Sequence, residues 1–271
     1  MSMDPVRPVK PVAPYIGGKI KLAQEITGLI NLTDHDRYLE PFMGMGGVFF
    51  RREYKPKSEI INDRNGEVAN LFRVLQRHYV HLMETMKWQL TTRHDFDRLV
   101  KTDPNTLTDL ERAARFIYLQ RTSYGGKVTG QNFGVEPSRP ARFDITKLVS
   151  TLEDVHSRLA GVVIENLDYK VFIERYDAQE CLFYLDPPYY GCEKDYGPEF
   201  FSRDEFLIMA DVLSGVQGKF LLSLNDTPEV RDIFSAFFID SVATTYSLAS
   251  TGNKKVGEVI ISNYKPSNIL I

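Results

Sequence analysis

Residues 181–185, Cys-Leu-Phe-Tyr-Leu, form an unbroken apolar run that ends at Asp186-Pro187-Pro188-Tyr189. A short continuous run of this kind suits a strand buried on both faces of a sheet. Two successive prolines offer no backbone N–H, so a central ladder cannot extend through them. An acid and an aromatic ring are therefore held at a rigid strand exit. An acceptor beside a flat apolar face suits a planar ligand that carries an amino group, such as a nucleobase. A plain proline turn after a strand has the same residues, so the rest of the chain must decide between the two.

Comparable runs recur at Tyr38-Leu39-Glu40-Pro41-Phe42, Glu59-Ile60-Ile61-Asn62-Asp63, Val162-Val163-Ile164-Glu165-Asn166 and Phe220-Leu221-Leu222-Ser223-Leu224. Helix-length segments at 17–30, 45–54, 202–215 and 227–236 separate several of them. This alternation predicts an α/β fold with a mostly parallel sheet covered on both faces. Residues 238–246 and 258–264 flank a turn-rich loop from Ser250 to Lys255, which predicts an antiparallel hairpin. Residues 67–157 pattern differently. Val68 to His81, Leu110 to Gln120 and Ile145 to Leu159 carry helical periodicity, with a polar loop from Thr122 to Arg142 between the last two. The expected organisation is one α/β domain made of 1–66 and 158–271, with a helical domain, 67–157, inserted into it.

Composition removes several classes. With 43% hydrophobic and 25% charged residues the chain is an ordinary globular one. No apolar stretch approaches the roughly 18 residues that span a bilayer, so no membrane partner is expected. Pro5, Pro8, Pro11 and Pro14 alternate with Val, Arg and Lys where a signal peptide needs an apolar core, so a cytoplasmic protein with a loose arm at 1–12 is expected. Cys181 and Cys192 have no further cysteine to complete a zinc site, and the five histidines show no paired spacing, so no metal is expected. The two thiols suit a reducing compartment, one buried and one in a loop. Trp88 is expected in the core.

The net charge of −3 argues against a chain that binds nucleic acid over its whole surface, but not against a local patch. Between Arg112 and Lys147 lie seven basic residues (Arg112, Arg115, Arg121, Lys127, Arg139, Arg142 and Lys147) and two acidic ones, Glu136 and Asp144. A solvated helix face explains such a balance. With Tyr124, Gln131, Asn132 and Phe133 interleaved, a nucleic-acid surface explains it equally well.

Further constellations point to a cofactor. Glu40-Pro41-Phe42-Met43-Gly44-Met45-Gly46-Gly47 leaves a strand and is expected to enter a helix at Val48. Glycines there let a ligand approach the backbone, and a helix N-terminus would face it. Asp63 closes the next strand about 20 residues on, where an acid can hold a ribose diol; a helix cap is the alternative role. The full dinucleotide spacing of glycines is missing, which favours a smaller adenosine-containing cofactor, and S-adenosylmethionine fits. Upstream, Tyr15-Ile16-Gly17-Gly18-Lys19 brings a cation that could meet a cofactor carboxylate. Asn166-Leu167-Asp168-Tyr169 offers an acid for the adenine amino group and a ring to wall the base; a turn acid would look the same.

Taken together, these motifs resemble the Dam-type DNA adenine-N6 methyltransferases, the alpha-group arrangement of the D12 class, across most of residues 14–264. Tyr15 to Lys19, Phe42-Met43-Gly44-Met45-Gly46, Asn62-Asp63-Arg64-Asn65 and Asp168-Tyr169 resemble the family's cofactor motifs. Asp186 to Tyr189 resembles its catalytic motif. Tyr118 to Gly126 resembles part of its recognition domain, with Gly125 where Asn is usual. Ser223-Leu224-Asn225-Asp226 and Lys254-Lys255-Val256-Gly257-Glu258 resemble its late motifs. Tyr15-Ile16 departs from the usual aromatic–Ala pair.

The resemblance implies a Rossmann-like S-adenosylmethionine-dependent methyltransferase fold. Its mixed seven-stranded sheet runs 3-2-1-4-5, with the C-terminal antiparallel hairpin at one edge and an inserted helical target-recognition domain. It implies cofactor contacts from Tyr15, Lys19, Glu40, Pro41, Phe42, Gly44, Gly46, Asp63, Asp168, Tyr169 and Asp186. Catalysis falls to Asp186, Pro187 and Tyr189, acting on an adenine flipped out of double-stranded DNA. Contacts to DNA are expected from Arg121, Tyr124, Lys127, Gln131, Asn132, Arg139, Arg142, Lys254 and Lys255. Other readings stay open: a methyltransferase with another acceptor (RNA adenine, cytosine N4 or a protein amide), a catalytically silent DNA-binding module, or an unrelated Rossmann-like enzyme. The recognition sequence, and whether the protein works alone or in restriction–modification beside a nuclease, also stay open.

Overall fold

The computed structural model describes residues 3–15, 19, 22–126, 130–134, 138, 140–191, 202–242 and 257–266. In chain order the strands are β1 (Asp4–Pro5), β2 (Arg37–Glu40), β3 (Tyr54–Lys55), β4 (Ser58–Asn62), β5 (Val163–Glu165), β6 (Cys181–Leu185), β7 (Lys219–Asn225), β8 (Phe238–Val242) and β9 (Glu258–Ser262). The α-helices are α1 (Ala23–Leu32), α2 (Gly66–Met86), α3 (Arg93–Lys101), α4 (Asp109–Thr122), α5 (Ile145–Arg158), α6 (Tyr169–Tyr176), α7 (Asp204–Ser214) and α8 (Pro228–Ile233).

The apolar run at 181–185 is the middle strand of a seven-stranded sheet ordered β5-β4-β2-β6-β7-β9-β8. β2 pairs in parallel with β4 and β6, β4 with β5, and β6 with β7. β9 is antiparallel to both β7 and β8. The α/β class, the 3-2-1-4-5 order and the edge hairpin expected above are all present. Side chains of β6 alternate between two cores. Cys181, Phe183 and Leu185 join the cluster under α6, α7 and α8, while Leu182 and Tyr184 join the cluster shared with α1, α2, α4 and α5. Each fully buried large apolar side chain contributes about 1.5–3 kcal/mol, which is why so short a strand holds the centre.

Residues 67–157 are helical over much of their described length, and they share the second cluster with the sheet. Val68, Leu71, Phe72 and Leu75 of α2 and Leu82 and Met86 further along it are all buried. The helix bends between these groups, where His78 takes φ −127° and ψ 31°. Its start is fixed by Asn65, whose side chain accepts from the Glu67 amide. Thr108 and Glu111 form a reciprocal capping box at α4, and Asp144 caps α5.

A buried ionic cluster ties the end of α5 to the sheet. Glu59 on β4 accepts from Arg52 at 2.7 Å and from Arg158 at 2.7 and 2.6 Å. Arg52 lies over the Tyr38 ring and Arg158 over the Phe49 ring.

Three expectations are corrected. The arm at 1–12 is not loose, since Asp4–Pro5 pairs with Tyr54–Lys55 and Val9 and Val12 are buried. The segment 45–54 is no α-helix. Gly44 and Gly46 take φ of 48° and 69°, which interrupts a right-handed helix. A single 3-10 turn, Phe49–Arg51, follows before Arg52 leaves in extended conformation. A Cβ on Gly46 would lie 2.4 Å from the Phe50 ring, so the turn requires glycine. The first helix runs Ala23–Leu32, and residues 17, 18, 20 and 21 of the expected span 17–30 lie outside the described residues. The helices α3 and α6 had no strong pattern; α3 buries only Phe96 and Leu99. Trp88 is 79% exposed rather than core, because the inward row of α2 ends at Met86. Cys181 is buried as expected, while Cys192, the end of the segment 238–246 and the loop 250–255 lie outside the described residues.

Candidate active site

The parallel strands β2, β4, β5 and β6 end on one edge, and the order reverses between β2 and β6. Open α/β sheets bind ligands at such a switch point. Asp186 follows β6 there. Its Oδ1 accepts from Ser223 Oγ at 3.2 Å, and that hydroxyl also pairs with Tyr184 Oη at 3.0 Å. Two residues on, Asn225 clasps the corner from the same face of β7. Its Oδ1 accepts from the Tyr190 amide at 2.9 Å and its Nδ2 donates to the Tyr190 carbonyl at 3.0 Å. The strand exit is thus fixed by β7 as well as by its own prolines.

Lys19 stands inside this corner. Its side chain is 1% exposed, and Nζ lies 3.0 Å from Asp186 Oδ1 and 4.0 Å from the centre of the Tyr189 ring. It also donates to the Tyr189 hydroxyl, which in turn donates to Glu258. Lys19, an expected cofactor contact, is thus placed against Asp186, Tyr189 and Glu258. Burial pushes the Asp186 carboxyl up to about 6; Lys19 holds it down and Glu258 pushes it further up.

The glycine turn is bound to the ends of β4 and β5. The Gly44 amide donates to Asp63 Oδ2 and the Asn65 amide to Oδ1, each at 2.8 Å. Asp63 therefore braces the turn, and a carboxylate keeps further lone pairs for a ligand. Burial lifts its pKa to about 6, with the two amides opposing. Asn62 donates to the Pro41 carbonyl at 2.9 Å and the Leu167 carbonyl at 3.0 Å, and accepts from the Leu167 amide at 2.8 Å. One side chain thereby stitches three strand exits together.

Phe42 and Tyr169 face each other with ring centres 5.3 Å apart and form an apolar wall. Tyr169 is buried and donates to Glu205. Asp168 caps α6 through the Lys170 amide and lies 3.6 Å from Arg64. A Cβ on Gly44 would come within 3.1 Å of the Tyr15 ring, so the turn packs directly on that ring. Glu40, at the end of β2, is buried, it accepts from Tyr38 at 2.7 Å, and burial lifts its pKa to about 8.

The expected DNA contacts divide. Tyr124 is 61% exposed and Asn132 is exposed, beside the short bridge that joins Ser123 and Phe133. Arg142 donates to the Ser123 carbonyl at 3.2 Å and lies over the Tyr124 ring. Arg121 turns inward, donating to the Val12 carbonyl at 2.7 Å, and Gln131 donates to Gln120. Arg112 pairs with Glu67 and Arg115 with the Leu99 carbonyl, so part of the positive balance counted along the sequence is internal. Lys127, Arg139, Lys254 and Lys255 lie outside the described residues.

Glu258 belongs to a late motif of the sequence. Its signal was a single acid opening the apolar run Val-Ile-Ile. Glu205, the partner of Tyr169, had no signal at all. Among the described residues no group of three or more His, Cys, Asp or Glu is placed to hold a metal, and no helix is long and apolar enough to cross a membrane.

The comparisons with known proteins agree with this geometry. The chain is 27% identical to a type II methyltransferase of Lactococcus lactis subsp. cremoris, with 94% of this chain and 96% of that protein covered. It is 21% identical to a type II methyltransferase of Paramecium bursaria Chlorella virus NC1A, covering 94% and 100%. A DNA adenine methylase of Serratia marcescens is 28% identical, with 91% and 95% covered. Residues 15–248, which hold the glycine turn, the helical region and the Asp-Pro-Pro-Tyr corner, match the D12 class N6 adenine-specific DNA methyltransferase profile, and the chain belongs to that family.

Proposed function

We propose that this chain methylates adenine N6 in double-stranded DNA, with the chemistry carried by Asp186, Pro187 and Tyr189. The observation that carries the assignment is the position of Asp186 at the sheet's switch point, beside the Gly44 turn. The residues fit S-adenosylmethionine: a turn whose glycine packs on Tyr15, a braced carboxylate at Asp63 for a ribose diol, and the Phe42–Tyr169 wall for adenine. Tyr15, Pro41, Phe42, Gly44, Gly46, Asp63, Asp168 and Tyr169 would hold it, with Asp186 at its reactive end. When bound, it supplies an electrophilic methyl group on a sulfonium.

The target adenine is extruded, because its amino group is out of reach inside the stack. Tyr189 stacks on it, worth about 1–3 kcal/mol. The Asp186 carboxylate and the Pro187 carbonyl accept from the amino group. They aim its lone pair and stabilise the positive charge that develops on nitrogen. Asp186 then takes the proton that the methylated nitrogen sheds.

Residues 67–157 serve as the target-recognition domain, with Tyr124, Asn132 and Arg142 on its DNA-facing side. The chain works in the cytoplasm of a bacterial or phage-infected cell, where DNA and methyl donor meet. Type II relatives support a place in restriction–modification. The test is methylation of unmodified genomic DNA with labelled S-adenosylmethionine, followed by mapping of the modified bases. Label on N6 of adenine, lost in Asp186→Ala with cofactor binding retained, is the expected result; label on cytosine, or an active Asp186→Ala, overturns the reading.

A further inference from the structure

Glu258 opens β9, a strand whose five residues are all buried, and its own exposure is 0%. A carboxylate is costly in such a place, and an apolar residue would serve the fold at least as well. Its partners indicate another role. The Tyr189 hydroxyl donates to Oε1, and Lys19 Nζ lies 3.4 Å from Oε2. The same ammonium lies 3.0 Å from Asp186 and 4.0 Å from the Tyr189 ring centre. Glu258 pairs in register with Asn225, the residue that clasps Tyr190. It therefore reaches both the ring that stacks on the base and the cation that faces the acceptor, while having no surface of its own for substrate.

We propose that Glu258 is a positioning residue for methyl transfer, fixing the plane of the Tyr189 ring through its hydroxyl and dividing Lys19 between two carboxylates. The proposal rests on the assignment of Asp186 and Tyr189 above. Asp186 is faced by Lys19, by Tyr184 on β6, by Ser223 on β7, by Glu258 on β9 and, at longer range, by Glu40 on β2. Removing the Glu258 charge leaves Lys19 to Asp186 alone and makes that carboxyl easier to ionise. Glutamine keeps a neutral acceptor, so the charge-assisted bond to the Tyr189 hydroxyl weakens and the ring is held less firmly.

The experiment compares Glu258→Gln, Tyr189→Phe and the double variant in the full chain. Unmodified genomic DNA and labelled S-adenosylmethionine are used, and kcat and the KM for DNA are followed across pH. In Glu258→Gln, kcat falls about tenfold or more and its acid limb moves to lower pH, while S-adenosylmethionine affinity by calorimetry stays within about threefold. Tyr189→Phe shifts kcat in the same direction by a smaller factor. The double variant is less impaired than the product of the single effects, because both substitutions weaken the contact at the Tyr189 hydroxyl. A folded Glu258→Gln with unchanged kcat and an unmoved limb overturns the proposal, as do single effects that multiply. If Glu258→Gln fails to melt cooperatively, Tyr189→Phe decides, and full activity there overturns it. An active Asp186→Ala would instead remove the catalytic assignment beneath it.

Discussion

Lys19 Nζ stands 3.0 Å from Asp186 Oδ1, so the cation of the Tyr15–Lys19 motif pairs with the acid at the exit of β6. Burial raises the Asp186 pKa to about 6 and Lys19 opposes that rise. In the proposed mechanism the carboxylate form accepts from the amino group, so activity is expected to fall as pH drops through this value. Lys19→Met removes the cation that favours ionisation, and the acid limb of kcat then moves to higher pH with a lower plateau. A pH–rate profile of the two proteins checks this, and an unmoved limb contradicts it.

Glu40 gives a stability prediction of definite sign. Burial raises its pKa from 4.5 to about 8, with Tyr38 opposing and Asp186 adding to the rise. A group raised on folding contributes stability that is complete below its unfolded pKa and lost as pH climbs through the folded one. Glu40→Gln has no charge to bury, so its melting temperature exceeds that of the parent above pH about 8, and the gap closes toward pH about 5. Melting curves across that range are the measurement; a gap that widens on acidification contradicts the assignment.

Much of this was legible in the residues, for physical reasons. Continuous apolar runs marked all the central strands because a sheet covered on both faces leaves no polar side to blur the pattern. The two prolines marked the exit of β6, and the glycines of the β2 turn marked a backbone that only glycine can follow. The same glycines misled on the next step, since left-handed φ at 44 and 46 ends the turn without an α-helix. Roles set by partners far along the chain were not legible. Nothing along the sequence marks Asp186 as a partner of Lys19, the Val12 carbonyl as a partner of Arg121, or the burial of Glu40.

Asn225→Ala tests whether β7 sets the geometry of the corner. It leaves the Tyr190 amide and carbonyl without this clasp. An unsatisfied buried group costs about 1–3 kcal/mol. The corner relaxes, and a small displacement of reacting groups is expensive in rate. We expect kcat to fall by about tenfold or more with little change in cofactor affinity. Equal loss in both quantities would mean that Asn225 supports the whole site and not the corner.

Glu59→Ala tests the bond between the helical region and the sheet. Arg52 and Arg158 would be left as buried cations with no anion between them. Breaking a buried pair from one side costs about 3–5 kcal/mol. Urea unfolding should show a drop of that order. A drop below about 1 kcal/mol would match an exposed pair and contradict the buried arrangement.

Arg121 separates a structural cation from a DNA contact. Its guanidinium donates to the Val12 carbonyl and, at 3.4 Å, to the Arg142 carbonyl, which fastens the N-terminal arm to α4. Arg121→Ala should lower the melting temperature. A lost phosphate contact lowers the log–log salt slope of DNA affinity by about 0.9; a cation that faces the arm leaves the slope unchanged. Tyr124→Ala, at an exposed ring, should do the opposite and weaken DNA binding without moving the melting curve. Affinity measured over a series of salt concentrations distinguishes the two, and a slope that falls in Arg121→Ala would return this residue to the DNA surface.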